Sequence, residues 1–177
     1  YARAAAAAAK RGDLVWVHDY HLQLVPKLLR EMRPDLRIGF FLHIPFPPEE
    51  LFAWVPWRRQ ILEGLLGADV LGFQTYAGAQ NFARSAREFA MAEGSGAELH
   101  YQGRKIRVAS FPISIDTKWF EQEASSPGTA RRAQEIRDRV GAKRKILLGV
   151  DRMDYTKGLE QRLGAFQEML RRRLAGV

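Results

Sequence analysis

The chain contains no cysteine, which excludes disulfides, thiolate metal sites and a cysteine nucleophile. It has no apolar run near the ~20 residues that a membrane-spanning helix needs. Its first residues, "ARAAAAAAK", are alanine-rich with flanking charge and read as a good helix rather than a signal peptide. A cytoplasmic location without a membrane partner is therefore expected. The phosphate-loop pattern GxxxxGK(S/T) is missing, which disfavours that kind of ATPase. Zinc-finger spacing, RNA-binding signatures and interleaved aromatic–basic strands are missing too. No internal repeat or low-complexity tract occurs beyond the alanines.

What remains is 177 residues, 46% of them hydrophobic, with a net charge of +8. That length suits one domain, or one domain and part of another. Much of the positive excess lies in helical patterns such as "ARRAQEIRDR" and "MLRRRL", where solvated helix faces account for it. A nucleic-acid partner is not expected; were there one, binding would fall steeply with salt.

Apolar runs of strand length alternate with helical patterns. Strands are predicted at 14–17, 37–42, 69–73 and 145–150, and helices at 21–32, 56–68, 76–92, 127–140 and 158–173. "ELHYQGRKIRVASF" predicts a hairpin turning at Gln102-Gly103. This alternation predicts an α/β fold, with parallel sheets covered on both faces. "EASSPGTARR" is the best linker candidate, and the strand at 145–150 would open a second sheet. The domains expected are 1–124, a linker and helix at 125–144, and a further domain from 145 to 177. The unit at 145–173 should expose apolar surface.

Polar clusters follow the strands. His18-Asp19-Tyr20-His21 follows the first, His43 the second, and Arg152 and Lys157 the run at 145–150. Ligands of open parallel sheets bind beyond the carboxyl ends of the strands. Asp19 can accept a substrate hydroxyl or act as a base, or it can simply cap the following helix. His18 and His21 with Asp19 make a poor metal site, because the spacing spans a turn and offers no fourth ligand. His43 can donate to a sugar hydroxyl or polarise a leaving group, or be a histidine bonded to backbone. Phe46, Phe52, Trp54 and Trp57 suit stacking on a ligand, but suit packing better. In "DRMDYTKG", Arg152 and Lys157 lie five apart before Gly158, where a helix begins. They can converge on a diphosphate, Arg as a planar fork and Lys as a point charge, or pair on the surface with Asp151 or Asp154.

Five ordered blocks, "VHDYHLQLVP", "IGFFLHIPFP", "DVLGFQTY", "FPISID" and "DRMDYTKGL", closely resemble the trehalose-6-phosphate synthases. These are retaining glycosyltransferases of the GT-B type, with two Rossmann-like domains. The resemblance implies transfer of glucose from a nucleotide sugar (UDP-glucose, or an ADP or GDP equivalent) to glucose 6-phosphate. It implies no cofactor and no metal, and an assembly of identical subunits. It assigns Asp19 to the acceptor hydroxyls and His43 to the donor glucose near its 6-hydroxyl. It assigns Arg152 and Lys157, with Gly158 beside them, to the donor diphosphate. These four side chains are the expected catalytic set. A front-face reaction is implied, in which the leaving phosphate helps to deprotonate the acceptor.

Ser114 stands where family members commonly have Gly. The family's glycine-rich donor loop and acceptor-phosphate residues would precede Tyr1, and its later carboxylates would follow Val177. On this resemblance the chain is a central piece: the second half of the acceptor-side domain and the start of the nucleotide-sugar domain, inactive alone. A glucosylglycerol-phosphate synthase, a pseudo-glycosyltransferase and a catalytically inactive sugar-phosphate- or nucleotide-binding fragment are the alternatives.

Overall fold

The computed structural model describes residues 1–141 and 143–172. The chain divides into two compact units, Tyr1–Ser114 and Ile115–Val177. The first unit holds a six-stranded sheet in the order β1-β2-β3-β6-β5-β4. Its strands are β1 (Leu14–His18), β2 (Arg37–Leu42), β3 (Val70–Phe73), β4 (Glu93–Ser95), β5 (Glu98–Tyr101) and β6 (Arg104–Ser110). β1, β2, β3 and β6 are parallel neighbours, while β4 and β5 extend the sheet antiparallel. Helices α1 (Ala2–Ala8), α2 (Val25–Met32), α3 (Glu49–Phe52), α4 (Arg58–Leu65) and α5 (Tyr76–Ala90) punctuate the strands.

The register sorts the side chains. Val17, Ile38, Phe40, Leu42, Leu71, Phe73, Ile106 and Val108 share one buried cluster with Leu29 of α2, Leu62 and Leu65 of α4, and Phe82 of α5. Successive strand residues point to opposite faces, so Trp16, Gly39, Phe41, Val70 and Gly72 point the other way. The sequence predicts helices on both faces. Within this unit they cover one, and the other presents Trp16 at 63% exposure and Phe111 at 43%. Glycine lets the aromatic rings lie flat there: a Cβ on Gly72 would meet the Phe41 ring at 2.7 Å and the Phe111 ring at 3.1 Å.

Turn chemistry agrees with the reading of the hairpin. Gln102 and Gly103 both have positive φ, 50° and 72°, as a two-residue type I′ turn requires. Thr75 caps α5, its hydroxyl accepting from the Gly78 N–H at 3.1 Å. Phe46 and Phe52 are buried, packing with Phe82 and Phe73, whereas Trp54 and Trp57 are exposed. The expectation that all four pack therefore holds only for the two phenylalanines, because the turn at 53–57 carries the tryptophans out to solvent.

The amino-terminal end of the sheet is closed by charge. Asp69, just before β3, accepts the Ile38 N–H at 2.8 Å and pairs with Arg30 at 2.6 Å and Arg104 at 3.4 Å. Arg104 also donates to the carbonyls of Leu66 and Ala68, and Arg30 to those of Leu36 and Gly67. The bonds to Leu66, Gly67 and Ala68 satisfy carbonyls just past the end of α4. Burial and the nearby Arg30 charge hold the Arg104 guanidinium below its usual pKa.

The second unit contains α6 (Thr117–Ala124), α7 (Pro127–Val140), a 3-10 turn at Tyr155–Lys157 and α8 (Leu159–Arg171). The linker candidate "EASSPGTARR" spans the junction of α6 and α7. Only Ser125 and Ser126 separate the two helices, and Ser126 caps α7 through the Thr129 N–H. Residues 145–150 do not form a strand among the described residues; a strand needs a neighbouring strand to complete its ladder, and apolarity alone does not supply one. They expose Leu147, Leu148 and Val150. The final helix was expected to reach residue 173, which lies outside the described residues, as do residue 142 of the expected 125–144 segment and 173–177 of the last. Among the described residues no helix is long and apolar enough to cross a membrane.

Gly67 makes the sharpest packing prediction. A Cβ there would lie 2.2 Å from the Lys27 nitrogen and 2.5 Å from the Pro26 carbonyl carbon, both backbone atoms that cannot swing aside. Gly67→Ala should lose about 2–3 kcal/mol of stability by chemical denaturation. Gly164→Ala on α8, where nothing lies within 4 Å, should gain about 0.5–1 kcal/mol. Equal midpoints for the two variants would contradict this packing.

Candidate active site

The carboxyl ends of β1 and β2 adjoin, and their register pairs His18 with Phe41. Asp19 and His43 therefore emerge side by side, one residue past each strand. Asp19 has φ 69° and ψ 168°, a region that is essentially glycine's alone. Two hydrogen bonds, one to β2 and one to the residue after it, hold it there: its N–H donates to the Phe41 carbonyl at 2.8 Å, and its Oδ1 accepts the His43 N–H at 3.3 Å. Its carboxylate makes no cap bond to the 3-10 turn Tyr20–Leu22 that follows. The capping alternative is thus corrected: the carboxylate reaches sideways to the next strand.

The His43 ring is fixed as well. Its Nε2 lies 3.1 Å from His18 Nδ1, with the two ring planes 24° apart. His18 rests on Trp16 at 4.4 Å between centroids, and His43 meets the edge of Phe41 at 4.8 Å. His21 turns to Tyr20, at 3.8 Å. Among the described residues no three His, Cys, Asp or Glu side chains gather to hold a metal ion.

The sequence reading missed Gln74. It follows β3 just as Asp19 and His43 follow their strands, so the same strand-end rule could have found it. Its amide bonds Ile113 both ways: Nε2 donates to the carbonyl at 3.0 Å, and Oε1 accepts the N–H at 3.1 Å. It ties Ile113 to the end of β3. Asn81 pins the proline-rich loop after His43, donating to the Phe46 carbonyl at 3.1 Å.

In the second unit, "DRMDYTKG" forms a structured turn. Asp154 Oδ1 accepts from the Thr156 N–H at 2.9 Å and the Thr156 hydroxyl at 2.8 Å. Those bonds, the backbone one first, hold its carboxyl below the usual range. Gly158 has φ 61° and begins α8, a left-handed conformation that suits glycine. Asp151 pairs with Arg162, whose side chain lies where a Cβ on Gly149 would be. Arg152 reaches Asp154 only at 3.8 Å and is 84% exposed. Lys157 is exposed and makes no salt bridge among the described residues. Both cations also act on Asp154 as charges, so the surface-pair alternative stands beside the diphosphate reading.

The strain at Asp19 can be measured. Asp19→Gly should be more stable than Asp19→Ala by about 1–2 kcal/mol, the reverse of the order in a helix or strand interior. Thermal melting of both variants checks it; an alanine variant as stable as the glycine one would show that the position is not strained.

Residues 1–175 match the model of glycosyltransferase family 20. The chain is 54% identical to a trehalose-6-phosphate synthase of Mycolicibacterium gilvum, over 96% of this chain and 36% of that protein. It resembles the Escherichia coli structure described as trehalose-6-phosphate bound with UDP-2-fluoro glucose, at 32% identity and a TM-score of 0.75, covering 96% of this chain and 38% of that one. It also resembles a UDP-forming alpha,alpha-trehalose-phosphate synthase of Burkholderia xenovorans in complex with glucose-6-phosphate, at 35% identity and a TM-score of 0.76, with 96% and 38% covered. The chain spans about a third of the length of these relatives. From residue 1 to residue 175 it belongs to glycosyltransferase family 20.

Proposed function

We propose that the intact protein is a retaining glucosyltransferase that moves glucose from UDP-glucose to glucose 6-phosphate, giving trehalose 6-phosphate. The observation that carries this reading is the pairing of Asp19 and His43 at adjoining strand ends, with Asp19 in a conformation that a non-glycine residue adopts at a cost. Such strain persists where the surrounding structure over-determines it, and it clusters at functional sites. Two matched relatives are described with a UDP-glucose analogue and with glucose-6-phosphate, which supports this choice of donor and acceptor.

In this reading Asp19 accepts hydrogen bonds from the acceptor hydroxyls and orients the attacking oxygen. His43 bonds the donor glucose near its 6-hydroxyl. Arg152 and Lys157, with the backbone at Gly158, hold the donor diphosphate, whose charge grows as the bond from the anomeric carbon to phosphate oxygen breaks. The new carbon–oxygen bond forms on the same face, and the acceptor proton passes to the departing phosphate oxygen. Cations held at that oxygen would favour the transition state over the ground state. No cofactor enters this scheme. Residues 1–124 would belong to the acceptor-side domain, 125–144 to a linker and helix, and 145–177 to the start of the nucleotide-sugar domain, in a cytoplasmic enzyme.

Mass spectrometry of the intact protein incubated with UDP-glucose and glucose 6-phosphate should find trehalose 6-phosphate and UDP. Lys157→Met keeps side-chain length and helix propensity. It should weaken UDP binding by about 1.5–3 kcal/mol and lower kcat by a further ~10²-fold. Arg152→Met should behave alike, with the double variant less than additive because both serve one group. Near-normal kcat in a well-folded Lys157→Met enzyme would return these cations to the surface-pair alternative.

A further inference from the structure

His18 has no part in the function proposed above, yet its ring nitrogen lies 3.1 Å from that of His43. We infer that His18 is a positioning residue: it accepts the proton of His43 Nε2 and so leaves His43 Nδ1 as a bare acceptor for a substrate hydroxyl. This rests on the reading that His43 meets the donor sugar.

Two neutral imidazoles joined Nδ1 to Nε2 hold a single proton between them, so the tautomer of one dictates that of the other. A neutral histidine side chain intrinsically favours the proton on Nε2. Both rings satisfy that preference together only if His43 Nε2–H donates to His18 Nδ1. The opposite polarity would force both rings into the less favoured form.

The surroundings hold this pair in place. His18 ends β1 in register with Phe41, and its ring rests on Trp16. The main chain of His43 is held by the Asp19 carboxylate, and its ring borders Phe41. A histidine left to rotate could offer a hydroxyl either a donor or an acceptor. One whose Nε2–H is already committed offers Nδ1 alone, in one orientation. A sugar hydroxyl is then recognised as a proton donor, which a ligand with an ether or a hydrogen at that carbon cannot replace.

The test is made in the intact enzyme with 15N-labelled histidine. His43 should show a protonated Nε2 and an unprotonated Nδ1, and His18→Phe should disturb that pattern. His18→Phe keeps a ring on Trp16 but removes the acceptor, so kcat/KM should fall roughly 10- to 100-fold through misplacement alone. His18→Asn places an amide oxygen where Nδ1 stood and should return kcat/KM to within about threefold of the parent. A proton on His43 Nδ1, a His43 spectrum indifferent to His18→Phe, or equal losses in the Phe and Asn variants would each overturn the inference. His43→Ala separates the two claims: normal turnover in that variant would remove the proposed donor contact, while the spectra would still judge the bond between the rings.

Discussion

A single cross-strand contact organises the candidate site. Asp19 leaves β1 in a conformation that costs a non-glycine residue about 1–3 kcal/mol, and the two hydrogen bonds to Phe41 and His43 keep it there. One of them is received by the carboxylate itself, from the N–H of His43. The carboxylate that the function would spend on an acceptor hydroxyl is therefore also a fastener for the neighbouring site residue. It is an exposed bond, so it contributes modestly to stability. Its effect is geometric, since it sets where His43 begins, and His18 then sets how the His43 ring turns.

The two ends of the sheet divide the work. At the amino end, Asp69 with Arg30 and Arg104 ties β2, β3 and the end of α4 together, Asp69 accepting the Ile38 N–H and the arginines bonding Asp69 and backbone carbonyls. At the carboxyl end, Asp19, His43 and Gln74 follow three neighbouring parallel strands and meet loops rather than core. Parallel strands ending at a common edge bring residues more than fifty positions apart in sequence into one row, which is why ligands of such sheets gather there.

Much of this could be read from residues alone. The apolar runs of β1, β2 and β3 stand out because strands buried in parallel sheets are nearly continuous in hydrophobicity. Gln102-Gly103 announced its hairpin by turn chemistry. β4 could not be seen, since "EGS" carries no alternation and exists only by pairing with β5. The run at 145–150 looks like a strand because it is apolar, but apolarity supplies no ladder partner. Asp19 and His43 were visible as residue types following strands. The conformation of Asp19 was not, because nothing in an aspartate signals a glycine-like backbone. Nor was the role of His18, which on spacing alone read as one of three ligands of a poor metal site and which only the register of β1 against β2 brings to His43.

The central claim is that Asp19 and His43 act as one unit. A double-mutant cycle on turnover of the intact enzyme tests it most directly, using Asp19→Asn, His43→Ala and the pair. Asparagine keeps the shape of the side chain but weakens its hold on the His43 N–H and on an acceptor hydroxyl. Strong non-additivity is expected, the double variant losing little more than the worse of the two singles, as residues of one network do. Losses that simply multiply would show two independent contacts and would contradict it.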